Sequence, residues 1–231
     1  MMHSLNPKFR ILLKLSRDIA IMALLIFGAR SAIADWNHVP TGSMKPTIVE
    51  GDLIFVNRLA YDLKVPFTTW HIAEWDQPKR GEIVVFFSPA NGDRLVKRVV
   101  GVPGDIVAMH RNRVFINGKP LAYGPLDKKF MDALTPEARR QHQFAEEKLN
   151  GIGHPVMALT NDAPGSSFAP VKVPEGNYLM LGDNRDNSAD SRYFGFVERD
   201  AIVGRATAII ASWNSEHFYL PRRGRFFINL P

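Results

Sequence analysis

The chain has 231 residues, 45% of them hydrophobic and 23% charged, with 29 Lys and Arg against 23 Asp and Glu for a formal net charge of +6. That length fits one domain, or one domain with a sizeable insertion, and that composition belongs to a folded globular protein. The lack of cysteine excludes a thiol nucleophile, a thiolate metal site and a disulfide framework. The positive charge gathers in Lys8, Arg10, Lys14 and Arg17 at one end and in Arg222, Arg223 and Arg225 at the other, without the aromatic-interleaved basic stripe used on nucleic acid.

The first element is the apolar stretch IAIMALLIFGA (19–29), which follows the four N-terminal basic residues. The positive-inside rule then leaves the N-terminus in the cytoplasm and carries everything after about residue 35 across the membrane. A span needs ~20 residues, and SAIA beyond Arg30 extends the stretch if Arg30 snorkels to the interface. The rival is a cleaved signal peptide: a basic segment, an apolar segment, then Ala32-Ile33-Ala34 as an A-x-A-like site. Either way the bulk of the chain is exported.

VPTGSMKPT (39–47) comes next. Pro40 and Pro46 each remove a backbone donor, and Gly42 clears bulk beside the Ser43 hydroxyl, so this is a turn and no helix or central strand. Beyond it, DLIFVNRL (52–59), GEIVVFFS (81–88), RLVKRVVGVPGD (94–105), RVFINGKPL (113–121), NYLMLGDN (177–184) and AIVGRATAIIAS (201–212) read as strands, with INGK (116–119) as an Asn-Gly hairpin. DKKFMDALTPEARRQHQFAEEKL (127–149) is rich in charge and helix formers, with Thr135-Pro136-Glu137 as a helix start. The expected fold is mainly β: an antiparallel β domain over 36–105 plus 177–231, interrupted by a second β-rich subdomain over 106–176. An N-terminal transmembrane helix, within 1–35, precedes it.

The seven histidines, His3, His38, His71, His110, His142, His154 and His217, stand singly, with no HExxH or close pair, so no metal site is expected. GDNRDNSADSR (182–192) spaces Asp186, Ser188 and Asp190 like a calcium loop. However, Ser191 and Val197 stand where that loop needs Gly and Glu. A serine nucleophile at Ser43 needs a base, and His38 is one candidate. Lys45, two residues on, lies ~7 Å away on a strand and points elsewhere on a helix. Lys97 is better placed, because alternation in LVKRVV sets it between Leu95 and Val99, where burial favours the neutral amine. The alternative for Lys97 is a partly buried lysine that snorkels to a strand edge. Arg98 cannot lose its proton and is no base.

PTGSMKPT, KRGEIVVF (79–86), VKRVVGVPGD (96–105) and GDNRDNSADSR, in that order after an apolar segment, resemble the type I signal peptidases, membrane-anchored Ser-Lys proteases. The resemblance runs from about Val39 to PRRGRFF at the C-terminus and leaves 106–176 without a motif. It implies Ser43 as nucleophile and Lys97 as general base. It also implies that Ser188 holds the lysine amine, and that the Thr41 hydroxyl assists the Ser43 N–H in an oxyanion hole. Asp190 and Arg192 would form a supporting ion pair. Arg98 matches with no role assigned, and no role transfers to Lys45. Val39, Met44, Ile48 and Val96 are expected to line shallow apolar pockets for small residues at the first and third positions before the scissile bond. The implied chemistry needs no cofactor. Its partners are signal-peptide-bearing preproteins and membrane lipid, and its place is the outer face of a bacterial cytoplasmic membrane, on a single span. Three readings stay beside it: a peptidase dedicated to one secreted or pilin-like precursor, a non-catalytic membrane-anchored β binding domain, and a self-cleaving Ser-Lys repressor, which the lack of a DNA-binding segment disfavours.

Overall fold

A computed structural model describes residues 7–65, 68, 70–161, 163–214 and 220–231, the side chains of 7–10, 24–27 and 29–31 aside. His3 and His217 and the Arg30 side chain therefore lie outside the described residues.

Helix α1 (Pro7–Ile33) runs directly into β1 (Ala34–His38), which returns as β2 (Asp52–Asn57). The chain continues through β3 (Asp62–Lys64), β4 (His71–Glu74), β5 (Ile83–Phe87) and β6 (Arg94–Gly101). Then follow β7 (Ile106–His110), β8 (Arg113–Ile116), β9 (Lys119–Pro120), β10 (Ala122–Gly124), α2 (Pro136–Gln141), β11 (His142–Leu149), β12 (Ile152–Leu159) and β13 (Phe168–Lys172). The last elements are β14 (Asn177–Leu181), α3 (Ser191–Phe194), β15 (Val197–Glu198), β16 (Ile202–Asn214), β17 (Leu220–Pro221) and β18 (Ile228–Asn229). The fold is mainly β and its sheets are antiparallel. One sheet has the order β1-β2-β16-β5-β6-β14-β15, with β17 and β18 also on β16. The strands between 106 and 172 form two others, β13-β7-β8-β9 and β10-β11-β12, and β3 pairs with β4.

Alternation along β5 explains the layering. Ile83 and Val85 join Ile54, Val56, Val203 and Ile209 on one side, while Val84 and Phe86 join Val99, Met180 and Ile202 on the other. A central strand buried on both faces reads as the unbroken apolar run IVVFF. A third cluster ties Val107, Met109, Val114 and Leu149 to Val100, Leu179 and Leu181, so the strands of 106–173 share a core with β6 and β14.

Two expectations change. Thr135 does cap a helix, accepting from the Ala138 N–H at 3.2 Å with Pro136 in the first turn. But the helix stops at Gln141, and HQFAEEKL is strand β11, paired over its whole length with β12. Asn150 (φ 53) and Gly151 (φ 80) make the tight hairpin turn between them, so cross-strand pairing overrides helix propensity. Second, α1 carries the expected apolar stretch, yet among the described residues no helix is long and apolar enough to cross a membrane. Lys14, Arg17 and Asp18 lie in its first half and confine the uncharged run to 19–29.

Candidate active site

Ser43 sits in the turn between β1 and β2. The turn is closed by Val39 N–H to Asp52 O and Gly51 N–H to Val39 O, both 2.9 Å. It is packed, not an open loop: Pro40 and Thr41 are exposed, whereas Ser43 is only 7% exposed, and Met44, Thr47, Ile48 and Val49 are buried. Lys45 turns back to Glu50 (2.8 Å), and this pair lies across Gly42, where a Cβ would come 2.5 Å from Glu50 Oε1 and 3.0 Å from Lys45 Cδ. A side chain at position 42 would therefore displace the Lys45–Glu50 pair, and that pairing directs Lys45 away from the hydroxyl.

Lys97 Nζ instead reaches Ser43 Oγ at 2.7 Å, with a second bond to the Val96 carbonyl at 3.0 Å. Lys97 stands opposite Val84 on β5 and is 3% exposed. Burial pulls its pKa down from 10.5 to about 8, against the nearby carboxylates of Asp190 and Asp183, which favour the charged form. Such an amine is available as a base near neutral pH, and once deprotonated it accepts the Ser43 proton. His38 is exposed on β1, and the Ser43 hydroxyl is bonded to Lys97.

The other expected residues divide. Asp190 and Arg192 pair through Nη2 (2.7 Å) and Nε (2.8 Å), and Asp190 also accepts the Gly182 N–H at 3.0 Å. Ser188 is buried beside the dyad, but its Oγ has no hydrogen-bond partner, so the expected bond to the lysine amine is not made here. A Cβ at Gly182 would collide with Ser188 Oγ and lie 2.5 Å from the Ser43 carbonyl oxygen, which places the strand end, Ser188 and Ser43 in contact. Thr41 is exposed, and its hydroxyl makes no hydrogen bond among the described residues. Val39, Met44 and Ile48 are packed into the core rather than left open, and only Val96 of the four keeps accessible surface.

Sequence reasoning left four residues without a role. Arg98, fully buried, makes a bidentate pair with Asp183 (2.9 and 2.8 Å) and donates to the Gly81 carbonyl at 2.6 Å. Asp183 also accepts from the Thr47 hydroxyl. Burial works to raise the Asp183 carboxyl, but Arg98 first, then His154 and Thr47, bring it below the ordinary value. Asn184 bonds both the Gly42 and Ser43 carbonyls. The GDN triplet was visible in the sequence, but its partners 85 and 142 residues away were not. Outside the residues named above, His71, Glu74 and Asp200 bring one potential ligand atom each within 4.8 Å of one another. His71 Nδ1 lies 3.1 Å from Glu74 and 3.4 Å from Asp62, and its Nε2 lies 3.5 Å from Asp200.

The family model described as "Signal peptidase, peptidase S26" matches residues 12–213. A "Signal peptidase I" of Pseudomonas fluorescens is 34% identical over 88% of this chain and 74% of that one. One from Buchnera aphidicola subsp. Schizaphis graminum is also 34% identical, over 83% and 72%. A solved signal peptidase I from Enterococcus faecalis is 32% identical, covers 57% of this chain and 98% of that chain, and superposes with a TM-score of 0.37. With that model matching most of its length and a relative 34% identical over 88% of it, the chain belongs to the signal peptidase family, peptidase S26.

Proposed function

We propose that the chain removes N-terminal signal peptides from exported preproteins, with Ser43 as nucleophile and Lys97 as general base. The 2.7 Å contact between a buried, desolvated amine and a serine hydroxyl carries this reading. Neutral Lys97 takes the Ser43 proton as Oγ adds to the scissile carbonyl, and the charged amine then protonates the departing amine. The acyl-enzyme is hydrolysed when Lys97, neutral again, deprotonates water. The Ser43 N–H, with Thr41 beside it, is the proposed oxyanion donor. Of the four residues expected to line the substrate pocket, Val96 keeps surface for a substrate side chain to meet, while Val39, Met44 and Ile48 pack behind the serine turn as core.

The strands on the Ser43 sheet come from 34–101 and 177–229, which supports 36–105 plus 177–231 as the catalytic unit and 106–176 as an insertion. The anchor reading has two supports. Ile11, Leu12, Leu13, Leu15, Ile19, Ile21 and Met22 are exposed at neighbouring positions around α1, as suits a helix wrapped by lipid. The basic residues preceding the apolar run support an outer-face position for the catalytic unit.

The test is cleavage of a preprotein by wild type, Ser43→Ala, Lys97→Arg and Lys45→Ala. Losing the nucleophile should cost about 10⁴–10⁶ in kcat. Lys97→Arg should be comparably inactive because guanidinium cannot accept a proton. Lys45→Ala should retain most activity. Near wild-type turnover in Ser43→Ala or Lys97→Arg would end this reading.

A further inference from the structure

The Gly42–Ser43 peptide is gripped from outside its own turn. Asn184, in the loop after β14, donates from its main-chain nitrogen to the Ser43 carbonyl at 3.0 Å and from Nδ2 to the Gly42 carbonyl at 3.1 Å. The Gly42 oxygen also accepts the Lys45 N–H at 3.1 Å, so both its lone pairs are engaged. The Gly42 carbonyl and the Ser43 N–H belong to one trans peptide unit, in which the two groups point in opposite directions within a plane. Two donors fixing the oxygen therefore aim the N–H the other way. Among the described residues that N–H donates to nothing. A vacant N–H of fixed direction is what stabilises an oxyanion without reorganisation at the moment of reaction.

Asn184 is suited to this hold. It is 2% exposed, and its main chain forms a parallel bridge to Met157, through Met157 N–H to Asp183 O at 2.9 Å and Arg185 N–H to Met157 O at 2.8 Å. Its neighbour Asp183 is locked by Arg98. The amide orientation follows from chemistry, because only the NH₂ end can face a carbonyl oxygen. The price is an Oδ1 left buried without a partner.

We infer that Asn184 is a positioning residue for the reaction, setting the plane of the Gly42–Ser43 peptide so that the Ser43 N–H points at the developing oxyanion. This rests on Ser43 being the nucleophile. Asn184 acts through that peptide and touches no reacting atom.

The experiment uses full-length wild type, Asn184→Ala and Asn184→Asp. Asp is nearly isosteric and keeps the main-chain bond to Ser43, but it sets an oxygen against the Gly42 carbonyl. Melting transitions identify which variants fold, and a folded variant decides the question. Two measurements are made: kcat and KM on a preprotein, and affinity for a signal-peptide-derived aldehyde beside the corresponding alcohol. The aldehyde carbon bonds to Ser43 Oγ, its carbonyl electron pair becomes the oxyanion, and the hydroxyl proton passes to Lys97; the alcohol forms no such bond. The expected result is a kcat loss of about 10- to 100-fold with KM within about twofold. Aldehyde affinity should fall by a similar factor and alcohol affinity should hold. A kcat within about twofold of wild type, or equal weakening of aldehyde and alcohol, overturns the inference. Ser43→Ala run in parallel separates the two claims, since cleavage by that variant would strike the nucleophile reading itself.

Discussion

At Lys97 the fold and the chemistry pull in opposite directions. A lysine whose pKa falls from 10.5 to about 8 on folding destabilises the protein whenever both states are protonated. Below about pH 8 the full penalty, on the order of 3 kcal/mol, is present. Between about 8 and 10.5 the unfolded chain holds a proton that the folded one does not, so stability rises with pH through that window. Lys97→Met is therefore expected to be inactive yet more stable than wild type, by about 2–3 kcal/mol at pH 7. The gap should shrink towards pH 10, which denaturant melts at both pH values will show. In wild type, kcat/KM should climb with pH and level off above about 8, as the amine deprotonates. A stability gap that does not change with pH would mean that Lys97 is not the group titrating. Much of this was legible in LVKRVV, because alternation alone puts Lys97 among apolar neighbours. What alternation cannot supply is the partner: Ser43 is 54 residues away, and only the sheet brings β6 against the β1–β2 turn. Spacing already disfavoured Lys45, and what it could not supply is the partner, Glu50, to which that side chain turns.

Among the elements, the loop after β14 joins everything. Asp183 meets Arg98 of β6 and Thr47 of the serine turn, while Arg185 meets Glu147 of β11 at 2.7 Å. Burial tends to raise the Glu147 carboxyl, but Arg185 and His154 hold it far below the ordinary value. The strands between 106 and 172 thus support the loop after β14 as well as their own core. Arg98, to which residue spacing assigned no role, is the counter-charge that lets Asp183 stay ionised while fully buried. Arg98→Met should leave that carboxylate unpaired and cost about 3–5 kcal/mol by urea denaturation. Adding Asp183→Leu should recover a large part of the loss, because the unpaired charge goes with it. A single variant as stable as wild type would show that the pair contributes nothing to folding. The β11–β12 hairpin marks where element reading fell short. EARRQHQFAEEKL has helix-forming composition, and the decisive feature is the two-residue Asn150-Gly151 turn that follows, the same signal that correctly predicted a hairpin at Asn117-Gly118.

For the whole molecule, the junction between α1 and β1 bears on the choice between anchor and cleaved leader. The helix continues to Ile33 and Ala34 already pairs with Asn57, so no linker separates the N-terminal segment from the sheet. Ala32 is buried, and the end of α1 packs against β1, β3 and the short turn at Arg58–Ala60. A processing protease needs an extended, accessible segment, which Ala32-Ile33-Ala34 does not present in the folded protein. Only eight residues lie between Ala34 and Ser43, 35 to 42, so even fully extended chain keeps the hydroxyl within about 30 Å of the helix end. A bilayer-held helix would therefore hold the site close to substrates still inserted in the membrane. The expected outcome is a protein that fractionates with membranes, needs detergent for release and keeps its original N-terminus. N-terminal sequencing of wild type and Ser43→Ala from the same membranes checks this, because self-cleavage would shorten only the former. Chains beginning at Asp35 in both, released without detergent, would replace the anchor with a leader cut by another enzyme before the helix joins the sheet.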